Sequence, residues 1–278
     1  MSQESNILGY PGYWGSSTSS VDWCETNYEY NYYVAEMFNT FSSLAMVVIG
    51  ELGAWLHPKA EISYRIAFRL VAVVGWGSLL FHCTLKYETQ MLDELPMCWT
   101  AAMLYYCLVT NKYPKIGSWF PILLSAYTIF VTLVVSLSSG KLQFYLFHIT
   151  FGSLEIVDLI MTLNIYLKKR KGAAAIKWLF EAGIAFYLVA VIIWSTDYSF
   201  CKYLNGHVAT ILGNSTVLPF NPQFHAFWHI LVSTGLYYLS LLILVDRQET
   251  LGHKAKLHYL FHLVPYVSWD EYPKPKTY

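Results

Sequence analysis

Long apolar segments separated by short polar connections occupy most of this 278-residue chain. Seven such segments are each close to the ~20 residues that a helix needs to cross a bilayer. They cover the ranges 34–56, 64–83, 91–109, 118–138, 143–167, 176–196 and 220–245. The pattern predicts an all-α polytopic membrane protein built as a bundle of seven transmembrane helices.

The polar stretches divide the chain into three parts. Residues 1–33 form a polar and aromatic N-terminal segment, residues 34–246 form the seven-helix domain, and residues 247–278 form a polar tail. Connections inside the domain are short except for 197–219, so we expect no second domain. Only 13% of the residues are charged, against about 25% in soluble proteins. The net charge of zero predicts no nucleic-acid partner.

Lysine and arginine are distributed unequally between the two sides of the predicted bundle. Fifteen lie in the tail and in the connections on one side, and only Lys86, Lys141 and Lys202 lie on the other. By the positive-inside rule the C-terminus is cytosolic and the N-terminus is not. This topology also predicts four solvated histidines on the cytosolic side, namely His57, His253, His258 and His262.

The stretch 75–96 contains the most unusual polar residues. Ser78 and His82 are four residues apart and share one helical face, and Asp93 opens the next apolar segment after a short turn. Ionisable groups inside a membrane are costly to bury and are usually functional. We therefore expect these three side chains to form part of a site.

A second histidine motif enters the bundle at the same end. His225 and His229 are four apart at the start of the seventh segment. With His82 they bring three histidines from two helices to one depth, which is typical of a catalytic zinc site with an open position. Haem ligation and helix–helix hydrogen bonding are alternatives for the pair, and His148 is a reserve ligand. For Glu155 and Asp158, deeper in the fifth segment, a polar helix contact and a proton path both fit.

Several motifs together resemble the alkaline ceramidase family over residues 13–245. These are Trp14-Gly-x-x-Thr18, Asp22-Trp-Cys-Glu25-x-Asn27, Glu36-x-x-Asn39, Gly75-x-Gly-Ser78-x-x-Phe-His82-x-Thr-Leu-Lys-Tyr-x-x-Gln-x-Leu-Asp93 and His225-x-x-Trp228-His229. Adiponectin-receptor-like proteins of the wider superfamily share only the serine, histidine and aspartate skeleton.

The resemblance implies two metal ions, Zn2+ and Ca2+, and one disulfide. Zinc would be held by His82, His225 and His229, with Ser78 and Asp93 as catalytic residues beside it. Calcium would be held by Asp22, the Trp23 carbonyl, Glu25, Asn27 and Glu36. Cys24 and Cys201 would form the disulfide. From the residues alone, the acidic segment could instead be a solvated loop with a helix N-cap, although a cation better explains Glu36 at the start of a spanning helix.

The function implied is that of an intramembrane, zinc-dependent and calcium-modulated amidohydrolase. It would cleave the N-acyl amide of ceramides to a free fatty acid and a sphingoid base, with ceramide and the bilayer as partners and no obligate protein partner. The alternative is an adiponectin-receptor-like membrane receptor with a structural zinc site, against which the acidic N-terminal segment argues. A bis-histidine haem protein would leave Ser78 and Asp93 without a role.

Two short signals concern the location of the protein. Lys276 and Lys274 lie third and fifth from the C-terminal end, as in dilysine signals, and predict a membrane of the endoplasmic reticulum or Golgi with a lumenal N-terminus. Asn214-Ser-Thr is a glycosylation sequon on the lumenal side.

Overall fold

The protein folds as a helical bundle with a small β-hairpin at one end. The computed structural model describes residues 9–213, 215–216 and 220–270. Within them lie the following elements: α1 (Met37–Ser42), α2 (Leu44–Leu56), α3 (Ile62–Thr84), α4 (Tyr87–Lys112), α5 (Trp119–Ser136), α6 (Gly140–Lys169), α7 (Ala174–Leu204), α8 (Gly206–Ile211), α9 (Phe224–Thr250), β1 (Lys254–Leu260) and β2 (Val264–Asp270). The predicted all-α membrane class is confirmed. The sequon at Asn214 and the lysines 274 and 276 lie outside the described residues.

Among the described residues, six spans are long and apolar enough to cross a membrane. They are α1 with α2, α3, α5, α6, α7 and α9. The 26-residue α4 is not one of them, since it carries Glu88, Asp93, Glu94 and Pro96. It nevertheless packs against α3, α5 and α6 inside the bundle. The count of seven spans therefore stays a prediction.

Small residues bring two pairs of helices into close contact. A Cβ atom on Gly235 of α9 would lie 2.9 Å from the carbonyl oxygen of Gly183 on α7. A Cβ atom on Gly77 of α3 would lie 1.9 Å from the carbonyl oxygen of Leu92 on α4. Close backbone approach at small residues is the usual way in which membrane helices pack. The second contact brings the backbone next to Ser78 close to the backbone of Leu92 and Asp93.

The expected long loop at 197–219 is largely helical, so that prediction was wrong. α7 continues to Leu204, and α8 follows after a single residue, Asn205. The Asn205 side chain accepts hydrogen bonds from the backbone N–H groups of His207 (2.9 Å) and Val208 (3.2 Å). This is an N-cap, and it turns the chain without an extended loop.

The predicted polar tail folds back onto the bundle. Strands β1 and β2 pair as an antiparallel hairpin that packs against α2 and α9. His57 is 1% exposed, and its Nε2 atom accepts a hydrogen bond of 3.0 Å from the Val267 N–H. The prediction that His57 is solvated was therefore wrong.

The other three histidines that were predicted to be solvated divide between the two outcomes. His253 and His258 are half-buried and lie 2.8 Å from the Gln248 Oε1 and Ser268 Oγ atoms, respectively. His262, in the hairpin turn, is exposed as predicted.

A candidate metal centre at one end of the bundle

The turn between α3 and α4 positions two residues of the site. Leu85 ends α3 in the left-handed conformation (φ 52°), and α4 begins two residues later at Tyr87. The reversal is tight, and the Gly77–Leu92 contact holds the two helices together. As a result, Ser78 of α3 and Asp93 of α4 line the same cavity.

Three histidines converge at this end. His82 comes from α3, and His225 and His229 come from successive turns of α9. Their candidate ligand atoms all lie within 4.8 Å of one another, and all three residues are buried. This is the only such group of histidine, cysteine or acidic residues found in the described part of the chain.

The nitrogen atoms of these rings fit a metal ion. Within the described residues, the Nε2 atom of His82 and the Nδ1 atom of His225 are buried without a hydrogen-bond partner. An unpaired buried polar atom is costly, and a cation between the three rings would satisfy both. Three histidines with room for a further ligand are the donor set of a catalytic zinc site.

Each histidine is also held from outside by a different group. The Nδ1 atom of His82 is bonded to the carboxylate of Glu36. The Nδ1 atom of His229 lies 2.8 Å from the Ser42 hydroxyl. His225 stacks on the indole of Trp23, with 3.9 Å between ring centroids. Such supporting contacts orient metal-binding imidazoles and tune their basicity.

These supporting residues are not evident from the sequence. Glu36 was predicted as a calcium ligand but not as the partner of His82, and Ser42 was not singled out. The available signal was the low hydrophobicity of the first apolar segment. Its polar residues have helical spacing, and Glu36, Asn39 and Ser43 are all completely buried (0% exposed).

The predicted calcium ligands form one cluster beside the histidines. Glu25, Asn27 and Glu36 are buried, and Asp22 is half-buried with its carboxyl adjoining that of Glu36. The Asn27 side chain donates to both oxygens of Asp22 (3.2 and 3.0 Å), while its own Oδ1 atom is buried without a partner in the described structure.

Glu25 is oriented differently from the other acidic residues. Its two carboxylate oxygens accept hydrogen bonds from the N–H groups of Phe38 (2.8 Å) and Asn39 (2.9 Å), at the start of α1. It therefore caps that helix, as the alternative interpretation of this segment proposed. The segment is not solvated, however, since Glu25 is only 2% exposed.

Among the described residues, no lysine or arginine pairs with the acidic cluster. The contact of Glu36 with His82 is its one salt bridge there, and the other salt bridges lie elsewhere. Burial and the charge of Glu36 raise the pKa of Glu25 to about 8. Burial, followed by Glu36, also raises the pKa of Asp22. A cation would reverse both effects, and carboxylate and amide oxygens are the ligands that calcium prefers.

A disulfide joins the N-terminal segment to α7. The partners are Cys24 and Cys201, whose Cα atoms lie 5.2 Å apart. The Cys24 N–H also donates to the Asp197 carboxylate of α7 (3.1 Å). The remaining cysteines, Cys83, Cys98 and Cys107, are free.

A cavity of about 410 Å³ opens below the histidines. Ser78, Asp93, His225 and His229 line one end of it. Most of its depth is apolar, with lining residues that include Met46, Val71, Leu104, Leu236, Leu239 and Ile243. The cavity therefore joins a polar centre to a space suited to a hydrocarbon chain.

The reserve ligand His148 lines this cavity but does not belong to the metal-binding group. Its Nδ1 atom lies 2.7 Å from the carbonyl oxygen of Phe144, one turn earlier in α6. Of the two acidic residues in α6, Glu155 accepts a hydrogen bond of 2.6 Å from the Tyr187 hydroxyl, which makes it a polar contact between helices.

Comparison with known proteins finds one family over nearly the whole chain. The family model described as Ceramidase matches residues 15–268. The chain is 34% identical to alkaline ceramidase 3 of Mus musculus, over 93% of this chain and 95% of that protein. It is 28% identical to an alkaline ceramidase of Arabidopsis thaliana (97% and 98% covered) and 28% identical to alkaline ceramidase 1 of Homo sapiens (90% and 91% covered).

Proposed function

The chain belongs to the alkaline ceramidase family, and on that premise we propose that it is a zinc-dependent amidohydrolase that cleaves ceramides within the membrane. The observation that carries the proposal is the buried group of His82, His225 and His229 at the polar end of an apolar cavity, in which His82 and His225 each have an unpaired nitrogen among the described residues. The products are a free fatty acid and a sphingoid base. Membership of a ceramidase family favours this function over that of a receptor.

The three histidines hold the zinc ion. When bound there, zinc supplies a Lewis acid that polarises the amide carbonyl and makes water more acidic. Glu36 keeps His82 in the tautomer that offers its Nε2 atom, because the Nδ1 atom is bonded to the carboxylate. The apolar walls of the cavity bind the hydrocarbon of the lipid and exclude bulk water from it.

Asp93 is the acid–base residue. It lies beside Glu94, but the Glu94 carboxylate is occupied by the side-chain amides of Gln90 (2.8 Å) and Gln143. Asp93 lines the cavity and is half-buried. It accepts a proton from the attacking water, whose oxygen bonds to the amide carbon. It then donates that proton to the nitrogen as the carbon–nitrogen bond breaks.

Ser78 stabilises the developing oxyanion. Its Oγ atom lies 3.4 Å from His229 Nε2 and 3.0 Å from Ser43 Oγ. The Ser43 hydroxyl is itself 2.8 Å from the carbonyl oxygen of Asn39. The single Ser43 hydrogen can point to Asn39 or to Ser78. When Ser43 donates to Ser78, the Ser78 hydroxyl is held in place and keeps its own hydrogen to donate at the polar end of the cavity.

Calcium binds in the acidic cluster and modulates the enzyme. Its ligands are Asp22, the Trp23 carbonyl, Glu25, Asn27 and Glu36. Because Glu36 also contacts His82, a change in the cluster is transmitted directly to a zinc ligand. The protein resides in the endoplasmic reticulum or Golgi, with this end of the bundle lumenal and the hairpin end cytosolic.

The test is fatty-acid release from a panel of ceramides by detergent-purified protein at alkaline pH, with zinc content measured on the same samples. We expect His225→Ala to lose zinc and to lower the rate roughly 1,000-fold, since a Lewis acid contributes several kcal/mol to the transition state. His262→Ala, at an exposed histidine outside the cavity and the metal group, is the control and should keep both. Zinc bound by the wild type without release from any ceramide would favour the receptor alternative.

A further inference from the structure

An unpaired carboxyl group lies in the deep, apolar part of the cavity. Asp158 of α6 is 7% exposed and lines the cavity. Within the described residues, both of its carboxylate oxygens are buried and neither has a hydrogen-bond partner. Since a buried polar group without a partner is costly, such a group points to something that binds there.

The neighbours of Asp158 do not supply that partner. The carboxylate of Glu155, one turn away, is bonded to the Tyr187 hydroxyl. The Thr162 hydroxyl donates to the backbone carbonyl of Asp158 (2.8 Å) rather than to its side chain. No lysine or arginine pairs with Asp158 among the described residues. Ser240 of α9, 6% exposed, is a further hydroxyl in the wall of the cavity.

The depth of Asp158 separates it from the reaction centre. His148 of α6 and Trp228 of α9 both pack against Trp194, with centroid distances of 5.6 and 6.0 Å, so they lie at the same level as the metal-binding histidines. Asp158 is ten residues further along α6 than His148, or about 15 Å by helix rise. A lipid whose amide lies at the histidines would therefore place its hydrocarbon chain, and not its amide, near Asp158.

We propose that Asp158 is a specificity subsite that binds a hydroxyl group carried in the middle of a lipid chain. This inference rests on the proposed function for the identity of the lipid. A hydroxyl group both donates and accepts, so it pairs with Asp158 whether the carboxyl is ionised or protonated. A chain made only of methylene groups leaves the carboxyl unpaired. Ser240 provides a second hydrogen-bonding group in the same part of the wall.

The expected effect is a preference for the hydroxylated chain. One satisfied buried hydrogen bond corresponds to roughly a tenfold difference in affinity. The hydroxyl group could belong to the acyl chain or to the sphingoid base, because both are chains of one lipid. The probes therefore carry it on one chain or the other.

The experiment compares three ceramides of equal chain length. One is plain, one has a mid-chain hydroxyl on the acyl chain, and one has it on the sphingoid base. We expect the wild type to prefer one of the hydroxylated lipids about tenfold in kcat/KM over the plain lipid. Asp158→Asn, which still donates and accepts, should keep the preference. Asp158→Leu should abolish it and improve hydrolysis of the plain ceramide.

A control and two contrary outcomes define the test. Ser153→Leu places leucine on an exposed position of the same helix and should leave the preference unchanged. Equal rates on all three lipids by the wild type would overturn the subsite. So would an equal loss of activity on every lipid in Asp158→Leu, which would identify Asp158 with a proton path instead.

A binding measurement separates the subsite from the reaction. Thermal stabilisation of the purified protein by the plain and mid-chain-hydroxylated fatty acid and sphingoid base requires no turnover. Stronger stabilisation by a hydroxylated product, lost in Asp158→Leu, supports the subsite even if no ceramide is cleaved. Equal stabilisation by both members of each pair rejects it, whatever the catalytic result.

Discussion

The two ends of the helical bundle are closed by chain segments of different chemistry. At the metal-centre end, the N-terminal segment is attached by the Cys24–Cys201 disulfide, by buried carboxylates and by the ring stacking of Trp23 on His225. At the other end, the β-hairpin is attached by apolar packing, with Val267 in the core, and by neutral hydrogen bonds. His57 accepts from the Val267 N–H, and the Tyr237 hydroxyl donates to the Pro265 carbonyl.

The comparison shows where the fold tolerates incomplete charge balance. The hairpin contacts satisfy their own donors and acceptors, so this end is complete without a ligand. The acidic cluster and the histidine group contain unpaired buried atoms in the described structure, which cations would balance. We therefore expect changes at the hairpin end to alter stability alone, and changes at the metal-centre end to alter metal binding as well.

The largest expected effect on stability comes from the disulfide. Cys24 and Cys201 are separated by 177 residues, and removing a native disulfide typically costs about 2–4 kcal/mol. Cys24→Ser should therefore lower the thermal unfolding midpoint substantially, as measured by a thiol-independent fluorescence assay. Cys83→Ser, at a free cysteine, is the control. An unchanged midpoint in Cys24→Ser would contradict the role of the bridge.

Glu36→Gln tests the link between the acidic cluster and the histidines. Loss of a carboxylate that supports a metal-binding histidine lowers metal affinity about 10–100-fold. We expect weaker zinc binding in a competition titration with a chelator, together with a weaker response of activity to calcium. Glu25→Gln, which does not contact a histidine, should weaken only the calcium response. Unchanged calcium dependence in both variants would reject the proposed calcium site.

His57→Leu tests the other end. The substitution removes the acceptor of the Val267 N–H and the contact of Nδ1 with the Gly53 carbonyl oxygen (2.7 Å). Leaving a buried donor unpaired costs about 1–3 kcal/mol. We expect faster proteolysis within 254–270, with zinc content and ceramide hydrolysis unchanged. Loss of zinc in this variant would show that the two ends are not independent.

The hairpin end should also respond to pH. Burial lowers the pKa of His57 below its ordinary value of 6.5. Docking of the hairpin is therefore fully stable above pH 6.5 and weakens as pH falls below it, because the undocked histidine takes up a proton first. Protection of the β1–β2 amides from hydrogen exchange should decrease in that range. His57→Gln should remove this dependence, which distinguishes His57 from His253 and His258.

The smallest effect is expected for the ion pair of Arg247 with Glu61. Its two hydrogen bonds measure 2.9 and 2.7 Å, but Glu61 is 43% exposed. Exposed pairs contribute about 0.2–1 kcal/mol. Arg247→Met should lower the unfolding midpoint only slightly, and less than His57→Leu. A larger loss would show that this ion pair between α9 and the start of α3 contributes more than an exposed pair does.

The sequence was sufficient to predict the convergence of the three histidines. Helical spacing placed His225 and His229 on one face, and the chain reversal before Asp93 placed His82 at the same depth. Both inferences use only helix geometry and the direction of each span. The helical class and the approximate spans also follow from such local patterns, so they could be predicted as well.

Contacts between distant segments could not be predicted in this way. Nothing in the spacing of Glu36 shows that its carboxylate meets His82, and nothing at Asp158 shows that it lacks a partner. The hairpin was missed because its two seven-residue strands carry mixed polar and aromatic residues, which resemble a solvated tail until they pack against α2 and α9. The helical continuation of α7 to Leu204 was missed because the apolar pattern ends earlier than the helix.

The origin of the three histidines has a consequence for synthesis of the protein. His82 is made early, with the second apolar segment, whereas His225 and His229 arrive only with α9 near the end of the chain. Glu36 and His82 are therefore made early in translation, but the complete set of three histidines exists only after most of the bundle has been made. A chain truncated before α9 lacks two of the three histidines, and a chain in which α9 has not inserted does not bring them to His82. On the proposed function, metal capture would follow the synthesis of α9, and a chain without α9 would be inert toward the lipids around it.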